Sequence, residues 1–135
     1  EAFMQNIFRL RDRLRSDFGY EAAIIRFPGG SSNTVSRFNP GIMTRLTNDL
    51  NDMGYAYFDW NVSAADTASD ATRYTVIENF KESVPKHDYS VVLQHDTNAF
   101  SVDAVEEILS WGIKNGYSFR ALDLTSPAVH HSVAN

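Results

Sequence analysis

Three side chains with catalytic potential each follow an apolar run of the sequence. Arg26 ends the first such run, Asp66 comes shortly after the second, and His95 follows the third. A histidine can pass protons near neutral pH while a carboxylate holds its other ring nitrogen. These residue types indicate a hydrolytic or group-transfer site if the fold brings them together. Arg26 and His95 also have a structural alternative, since a strand-end arginine can be a solvated cap or part of a structural ion pair and a strand-end histidine can have a structural role.

A glycine-rich turn follows Arg26. The sequence Phe27-Pro28-Gly29-Gly30-Ser31 breaks the apolar run, which is typical of a buried strand that ends in a loop lying close to another group. Ser31 or Ser32 could act as a serine-hydrolase nucleophile with His95, but the chain has no G-x-S-x-G elbow. Hydrogen bonding within the turn is the alternative role of both serines.

Other candidate residues have a simpler structural interpretation. His87 lies in a predicted surface turn, where a solvated histidine is expected. His130-His131 lies in the C-terminal tail, where contact with a loop is expected and a metal role is the alternative. Asp59-Trp60 ends the second run; its aromatic residues are mostly core by their alternation, although a tryptophan at a strand end could stack on a sugar ring.

The composition restricts the class of protein. With 135 residues, of which 43% are hydrophobic, the chain can form one packed domain. Its net charge of -5 and its scattered Lys and Arg residues provide no basic surface for nucleic acid. Because cysteine is absent, disulfides, thiolate metal sites and cysteine nucleophiles are excluded. No run approaches the roughly 18 apolar residues of a membrane span.

Helix-like and strand-like patterns alternate along the chain. Apolar residues at helical spacing predict helices, and short apolar or aromatic runs predict strands. The predicted order is a helix from the start to about 17, a strand at 22–27, a helix from Asn39-Pro40 to about 54, a strand at 55–60, a helix at 71–82, a strand at 89–93, a helix capped by Ser101 and stopped at 116, and a strand at 117–124. An irregular tail follows.

This alternation predicts an α/β fold with a parallel sheet covered by helices. In such folds, function gathers at the carboxyl ends of the strands. Four strands without closure would leave an exposed sheet edge, and a complete (β/α) barrel usually takes about 250 residues. The length therefore favours part of a barrel, with a small open α/β sheet as the alternative. The chain enters helical periodicity without an initiator Met or a capping residue, so we expect the native protein to continue upstream.

In order and spacing, three motifs resemble those of the polysaccharide deacetylases with NodB homology, carbohydrate esterase family 4. Arg26-Phe27-Pro28-Gly29 is similar to the third motif of that family, R-x-P-aromatic. Ser63-Ala64-Ala65-Asp66-Thr67 is similar to the fourth, D-x-x-D-W, and Leu93-Gln94-His95 to the fifth, L-x-H. The resemblance extends through the tail and implies a partial, distorted (β/α) barrel of the NodB type.

The resemblance implies hydrolytic removal of acetyl groups from an acetylated polysaccharide such as peptidoglycan, a chitin-like chain or xylan. A divalent metal, zinc or similar, would polarise the acetyl carbonyl and activate water. His95 would be the general acid, Asp66 would orient His95, and Arg26 would hold the catalytic aspartate. The family commonly works outside the cell or at the cell wall, which implies the same location here.

Substrate-binding roles also follow from the resemblance. The backbone N–H of Gly29, after Pro28, would face the developing oxyanion, and Leu93 would line a slot for the acetyl methyl group. Gly29 stands where the family has an aromatic residue, and the fourth motif lacks its first aspartate and its tryptophan. The sugar groove would therefore differ in shape, and Trp60 would compensate for the missing aromatic wall.

Two upstream motifs of the family have no counterpart in the chain, T-F-D-D-G with the base aspartate and H-[ST]-x-x-H with metal-binding histidines. Residues 1–135 would then be a single domain, the C-terminal portion of a catalytic domain whose N-terminal metal-binding portion is missing. Alone, such a chain would neither bind the metal nor turn over, and it would depend on the missing half or on a second copy of itself. The alternative function is a non-catalytic glycan-binding or interaction module, and the upstream sequence would discriminate the two.

Overall fold

The structure, a computed structural model, describes residues 2–135, in which helices and short strands alternate. The main elements are α1 (Ala2–Phe18), β1 (Ile24–Ile25), α2 (Ile42–Asp52), β2 (Ala56–Tyr57), β3 (Val62–Ser63), α3 (Arg73–Ser83), β4 (Val92–Leu93) and α4 (Ala99–Lys114). Short 3₁₀ helices cover Thr34–Arg37 and Val84–Lys86. No helix in this range is long and apolar enough to cross a membrane.

The strands form two parallel pairs. In one pair β1 lies beside β2, with Ile24 opposite Ala56, and in the other β3 lies beside β4, with Val62 opposite Val92. Because paired parallel strands end at the same edge, each pair delivers the residues that follow it to one place. The predicted α/β class with parallel strands is confirmed.

Two apolar clusters hold these strand pairs to the helices. The first joins residues that follow or belong to β1 and β2 with one face of α2, and consists of Phe27, Met43, Leu46, Leu50 and Tyr57. The second joins β3 to α3 and α4, and consists of Val62, Ala64, Val76, Ile77, Phe80, Val84, Ala104 and Ile108. Full burial of a large apolar side chain stabilises the fold by about 1.5–3 kcal/mol. The clusters therefore anchor the strand ends that carry the polar residues.

The prediction of a strand at 117–124 is wrong. Within residues 2–135 this segment belongs to neither strand pair, and its aromatic side chains pack on helices instead. The Tyr117 ring stacks on Trp111 with centroids 5.8 Å apart, and the Phe119 ring lies 6.4 Å from Phe80. Aromatic residues favour a strand only where a neighbouring strand completes the pairing.

Two predicted helix starts are also displaced. Asn98 is the N-cap of α4, so Ser101 lies in the first turn and not at the cap. Gly41 precedes α2 with a left-handed backbone, φ 74°, and Asn39 and Pro40 lie outside that helix. In both cases the local backbone geometry, which residue type alone does not determine, sets where the helix begins.

Candidate active site

Asp66 and His95 form a hydrogen-bonded pair beyond β3 and β4. Asp66 Oδ1 lies 2.8 Å from His95 Nδ1, and Asp66 Oδ2 accepts the backbone N–H of His95 at 2.6 Å. Because an ionised carboxylate only accepts hydrogen bonds, Nδ1 carries the proton. The Asp66 side chain is 2% exposed and the His95 side chain 40%. A buried carboxylate therefore orients a histidine whose Nε2 is left for another partner.

A tight turn after β3 brings Asp66 to His95. Ala65 has a left-handed backbone with φ 52°, and its N–H donates to Ser63 Oγ at 3.1 Å. On the other side, Asn98 Nδ2 donates to the Asp66 carbonyl at 2.9 Å. The turn is thus held from β3 and from the residue that precedes α4.

The pKa of Asp66 lies below its ordinary value. Burial of the carboxyl group would raise this pKa, but hydrogen bonds from the Ser101 hydroxyl, the His95 ring and the His95 backbone outweigh it. The Ser101 bond is 2.7 Å long. Asp66 is therefore ionised at neutral pH and supplies the negative charge beside His95.

Arg26 follows β1 and is held by the end of β2. Its Nε donates to the Phe58 carbonyl at 3.1 Å, and its Nη2 donates to the Asp59 carbonyl at 3.2 Å. The guanidinium carbon lies 5.8 Å from the ring centroid of Trp60. Burial lowers the pKa of Arg26 and the charge of Asp59 opposes that change. An arginine stays cationic in proteins, and its fork has five N–H donors, so further donors remain for an anionic group.

Asp59 is a buried carboxylate whose role the sequence did not reveal. It is fully buried and accepts hydrogen bonds from the Ser31 N–H at 2.7 Å, the Ser31 hydroxyl, and the His131 N–H at 2.8 Å. Burial would raise the pKa of Asp59, but these bonds, the Ser31 hydroxyl first, hold the pKa below its ordinary value. Its partners lie 28 and 72 residues away, so only its position at a strand end could have drawn attention to it.

The serine and histidine residues around Asp59 have structural contacts. Ser31 is fully buried, and Ser32 Oγ lies 3.0 Å from His131 Nδ1, not near a ring nitrogen of His95. His131 Nε2 lies 2.7 Å from the Trp60 carbonyl, so in the neutral ring Nε2 carries the proton and Nδ1 accepts a hydrogen bond from the Ser32 hydroxyl. These positions agree with hydrogen bonding in the turn and with a loop contact of the tail.

The tail contact includes His130 as well. Its Nε2 lies 2.9 Å from the Tyr57 carbonyl, and its ring stacks on the Tyr57 ring at 3.9 Å. His87 is half-buried after the 3₁₀ helix Val84–Lys86, where its N–H donates to the Val84 carbonyl at 3.1 Å. Among residues 2–135, neither histidine is hydrogen-bonded to Asp66 or His95.

The predicted substrate-binding residues fall into two groups. Pro28 and Gly29 are exposed in the turn after Arg26, and Trp60 is half-buried beside Arg26 and Gly30. Leu93 is half-buried in β4, on the side of His95. Among residues 2–135, no hydrogen bond joins Arg26 to Asp66 or His95. The structure therefore shows an arginine centre and an Asp66–His95 centre at the ends of the two strand pairs.

The described residues do not fit the divalent metal that the resemblance implies. In the range 2–135, no group of three or more His, Asp or Glu side chains is arranged to hold a metal ion.

The parallel strand pairs and their covering helices correspond to part of a (β/α) barrel of the NodB type, as the likeness to solved structures shows. With 47% identity and a TM-score of 0.95, the chain is similar to the catalytic domain of peptidoglycan N-acetylglucosamine deacetylase from Eubacterium rectale, over 99% of this chain and 62% of that one. It is 28% identical over 125 residues to a putative polysaccharide deacetylase of Bacillus subtilis, which covers 89% of this chain and 41% of that protein. No family model matches.

More distant structures share the fold. A polysaccharide deacetylase from Bacillus cereus matches 95% of this chain at 23% identity and a TM-score of 0.78, and 61% of its own chain is covered. A Streptococcus mutans CE4 esterase matches 95% of this chain at 18% identity and a TM-score of 0.66, with 52% of its chain covered. The resemblance to polysaccharide deacetylases and the predicted barrel type are confirmed, and the chain spans less than two thirds of each of these relatives.

Proposed function

We propose that this protein removes acetyl groups from a polysaccharide by hydrolysis. The observation that carries the proposal is the Asp66–His95 pair, in which a buried, ionised carboxylate fixes Nδ1–H and leaves Nε2 of a half-exposed ring free to act. This is the arrangement that a general acid requires. The similarity to deacetylases over nearly the whole chain supports the same conclusion.

His95 acts as the general acid in this proposal. Protonated on both nitrogens, it donates the Nε2 proton to the leaving amine of an amide, or to the leaving alcohol of an ester. The oxygen of water forms a new bond to the acetyl carbon and loses a proton to a carboxylate. The leaving atom takes the electron pair of its bond to that carbon and receives the proton from His95, which becomes neutral, and acetate is released. Asp66 contributes by stabilising the positive imidazolium through Nδ1.

Arg26 and the turn after it provide the second part of the site. Two backbone carbonyls at the end of β2 accept hydrogen bonds from the guanidinium and fix its position, so its remaining N–H donors are held in place as well. We assign them to the carboxylate that takes the proton from water. The Gly29 N–H faces the developing oxyanion, Trp60 with Pro28 lines the sugar groove, and Leu93 lines the slot for the acetyl methyl group.

The substrate in the proposal is an acetylated glycan of the peptidoglycan kind, as the name of the 47% identical relative suggests. The proposal includes a divalent cation, although no residue among 2–135 is assigned to it. It also includes action outside the cell or at the cell wall, where such a polymer is found.

The test is acetate release from N-acetylated peptidoglycan fragments by the full-length protein and by its His95→Ala variant. We expect kcat to fall by about 10²–10⁴ in the variant, the usual contribution of acid–base catalysis. His87→Ala is the matched control, because His87 is half-buried in a turn and, among residues 2–135, makes no hydrogen bond to Asp66 or His95, and its kcat should equal that of the unchanged protein. Equal activity of His95→Ala would remove His95 from the mechanism. Glycan binding without acetate release in the unchanged full-length protein would favour the non-catalytic binding module.

A further inference from the structure

Ser101 is a buried polar residue whose position is not explained by helix capping. It lies in the first turn of α4, where Asn98 is the N-cap, and it is fully buried. A buried hydroxyl without a partner is destabilising, and alanine is a better residue for a helix interior. A serine at this position therefore needs a specific partner.

That partner is the carboxylate of the Asp66–His95 pair. Ser101 Oγ donates to Asp66 Oδ2 at 2.7 Å, on the oxygen that also accepts the His95 N–H at 2.6 Å. Asp66 Oδ1 is thereby left for His95 Nδ1 at 2.8 Å. The carboxylate is held by three donors, and the hydroxyl is the one that comes from neither the Asp66 turn nor the His95 loop.

The first turn of α4 is also tied to both of these loops. Gln94 Nε2 donates to the Ser101 carbonyl at 2.6 Å, and Asn98 Nδ2 donates to the Asp66 carbonyl at 2.9 Å. Packing of Ala104 and Ile108 in the second apolar cluster fixes the same helix to α3 and β3. The hydroxyl therefore acts from a rigid element, which is what orientation of a second group requires.

We propose that Ser101 is a positioning residue, which sets the orientation of the Asp66 carboxylate and through it the ring orientation and tautomer of His95. Its consequence for catalysis rests on the proposed function, whereas its effect on the His95 ring does not. Without the hydroxyl, Oδ2 keeps one donor, and the carboxylate can rotate away from Nδ1. His95 would then populate the Nε2–H tautomer, which cannot donate to Asp66.

The first test is the tautomer of His95, read from its ring ¹⁵N chemical shifts at an alkaline pH where the imidazole is neutral. In the unchanged chain we expect the Nδ1–H form to dominate, and in Ser101→Ala we expect a mixture with Nε2–H. Ser36→Ala is the matched control, because Ser36 is a buried serine whose hydroxyl has no hydrogen-bond partner among residues 2–135. It should leave the His95 shifts unchanged.

The second test is kinetic. We expect Ser101→Ala to lower kcat about 10-fold, equivalent to about 1.4 kcal/mol, with KM unchanged because the hydroxyl is buried away from substrate. In an Asp66→Asn background the same substitution should have no further effect, since Ser101 acts through that carboxylate. A general loss of fold would lower activity in both backgrounds.

The outcomes separate the two proposals. His95 shifts that are the same in Ser101→Ala and Ser36→Ala would overturn the positioning role, whatever the activity. A tautomer change in a full-length protein that releases no acetate would keep the positioning role and contradict the proposed function. A kcat loss of equal size in the Asp66→Asn background would also overturn the role of Ser101.

Discussion

Gly30 shows at the scale of one residue how the turn after Arg26 is fixed. Its φ is +77°, and a Cβ atom at this position would lie 3.0 Å from Asp59 Oδ1 and 3.1 Å from the Trp60 ring. The left-handed backbone alone costs an L-residue about 1–2 kcal/mol, and overpacking adds about 1–3 kcal/mol. We therefore expect Gly30→Ala to lower the free energy of unfolding by more than the backbone cost alone, as measured by urea denaturation.

Gly54 supplies the matched control for this prediction. Its φ of +79° is nearly the same, but a Cβ there would meet nothing within 4 Å. Gly54→Ala should therefore lower the free energy of unfolding only by the cost of the left-handed backbone. Equal losses in the two variants would show that Asp59 and Trp60 move aside without cost, and that the turn is not fixed by its close approach to them.

Residue-scale chemistry also decided which parts of the site could be found from the sequence. Arg26, Asp66 and His95 were predicted because each has a reactive side chain and follows an apolar run. Ser101 was misassigned as a helix cap, since its partner Asp66 lies 35 residues away. Contacts between residues so far apart in the sequence leave no local pattern, so they can be identified only from the folded arrangement of the strands and α4.

At the scale of elements, the segment 117–124 packs against α4 at Gly112. A Cβ on Gly112 would lie 2.5 Å from Phe119 Cζ, so the ring rests directly on the helix backbone. A helical Gly→Ala change ordinarily stabilises by about 1 kcal/mol, but here the added methyl displaces the ring. We expect Gly112→Ala to stabilise the protein by about that amount in a Phe119→Ala background and by clearly less, or not at all, with Phe119 present.

A double-mutant cycle measures this coupling. The unfolding free energies of the two single variants, the double variant and the unchanged protein give the interaction between positions 112 and 119. Additive effects would mean that the ring leaves the helix at no cost, and that the segment is held by its other contacts, such as Tyr117 on Trp111.

The elements differed in how far the sequence could predict them. Helical spacing of apolar residues predicted α1, α3 and α4 to within about two residues at most ends, because packing of one face determines each helix. The strands reach only two residues each, and β3 lies in a stretch that had no strand pattern. The aromatic segment 117–124 had such a pattern but packs against helices and not beside a strand. Pairing, which depends on distant residues, decides the strands.

At the scale of the whole molecule, two buried carboxylates link the fold to pH. Asp59 joins the turn after β1, the end of β2 and the tail, and Asp66 joins the ends of β3 and β4 to α4. Both have a pKa below the ordinary value of 3.8 in the folded chain. When the pH falls, the unfolded chain therefore takes up these protons first, and proton binding favours unfolding.

Well above the unfolded-state pKa of these two groups, we expect their contribution to the free energy of unfolding to be constant. As the pH falls through about 4 toward their lower folded-state pKa values, we expect that contribution to decline. Urea denaturation between neutral and acidic pH measures this decline.

Asp66→Asn should be less stable than the unchanged protein at neutral pH, by about 1–3 kcal/mol for the disturbed hydrogen bonds, yet its free energy of unfolding should fall less on acidification. Asp70→Asn, which changes an exposed carboxylate, should keep the steeper decline. If Asp66→Asn and Asp70→Asn declined in parallel with the unchanged protein, the buried carboxylate at His95 would not be a source of acid sensitivity, and the stability of the strand-end network would rest on its neutral hydrogen bonds and apolar packing.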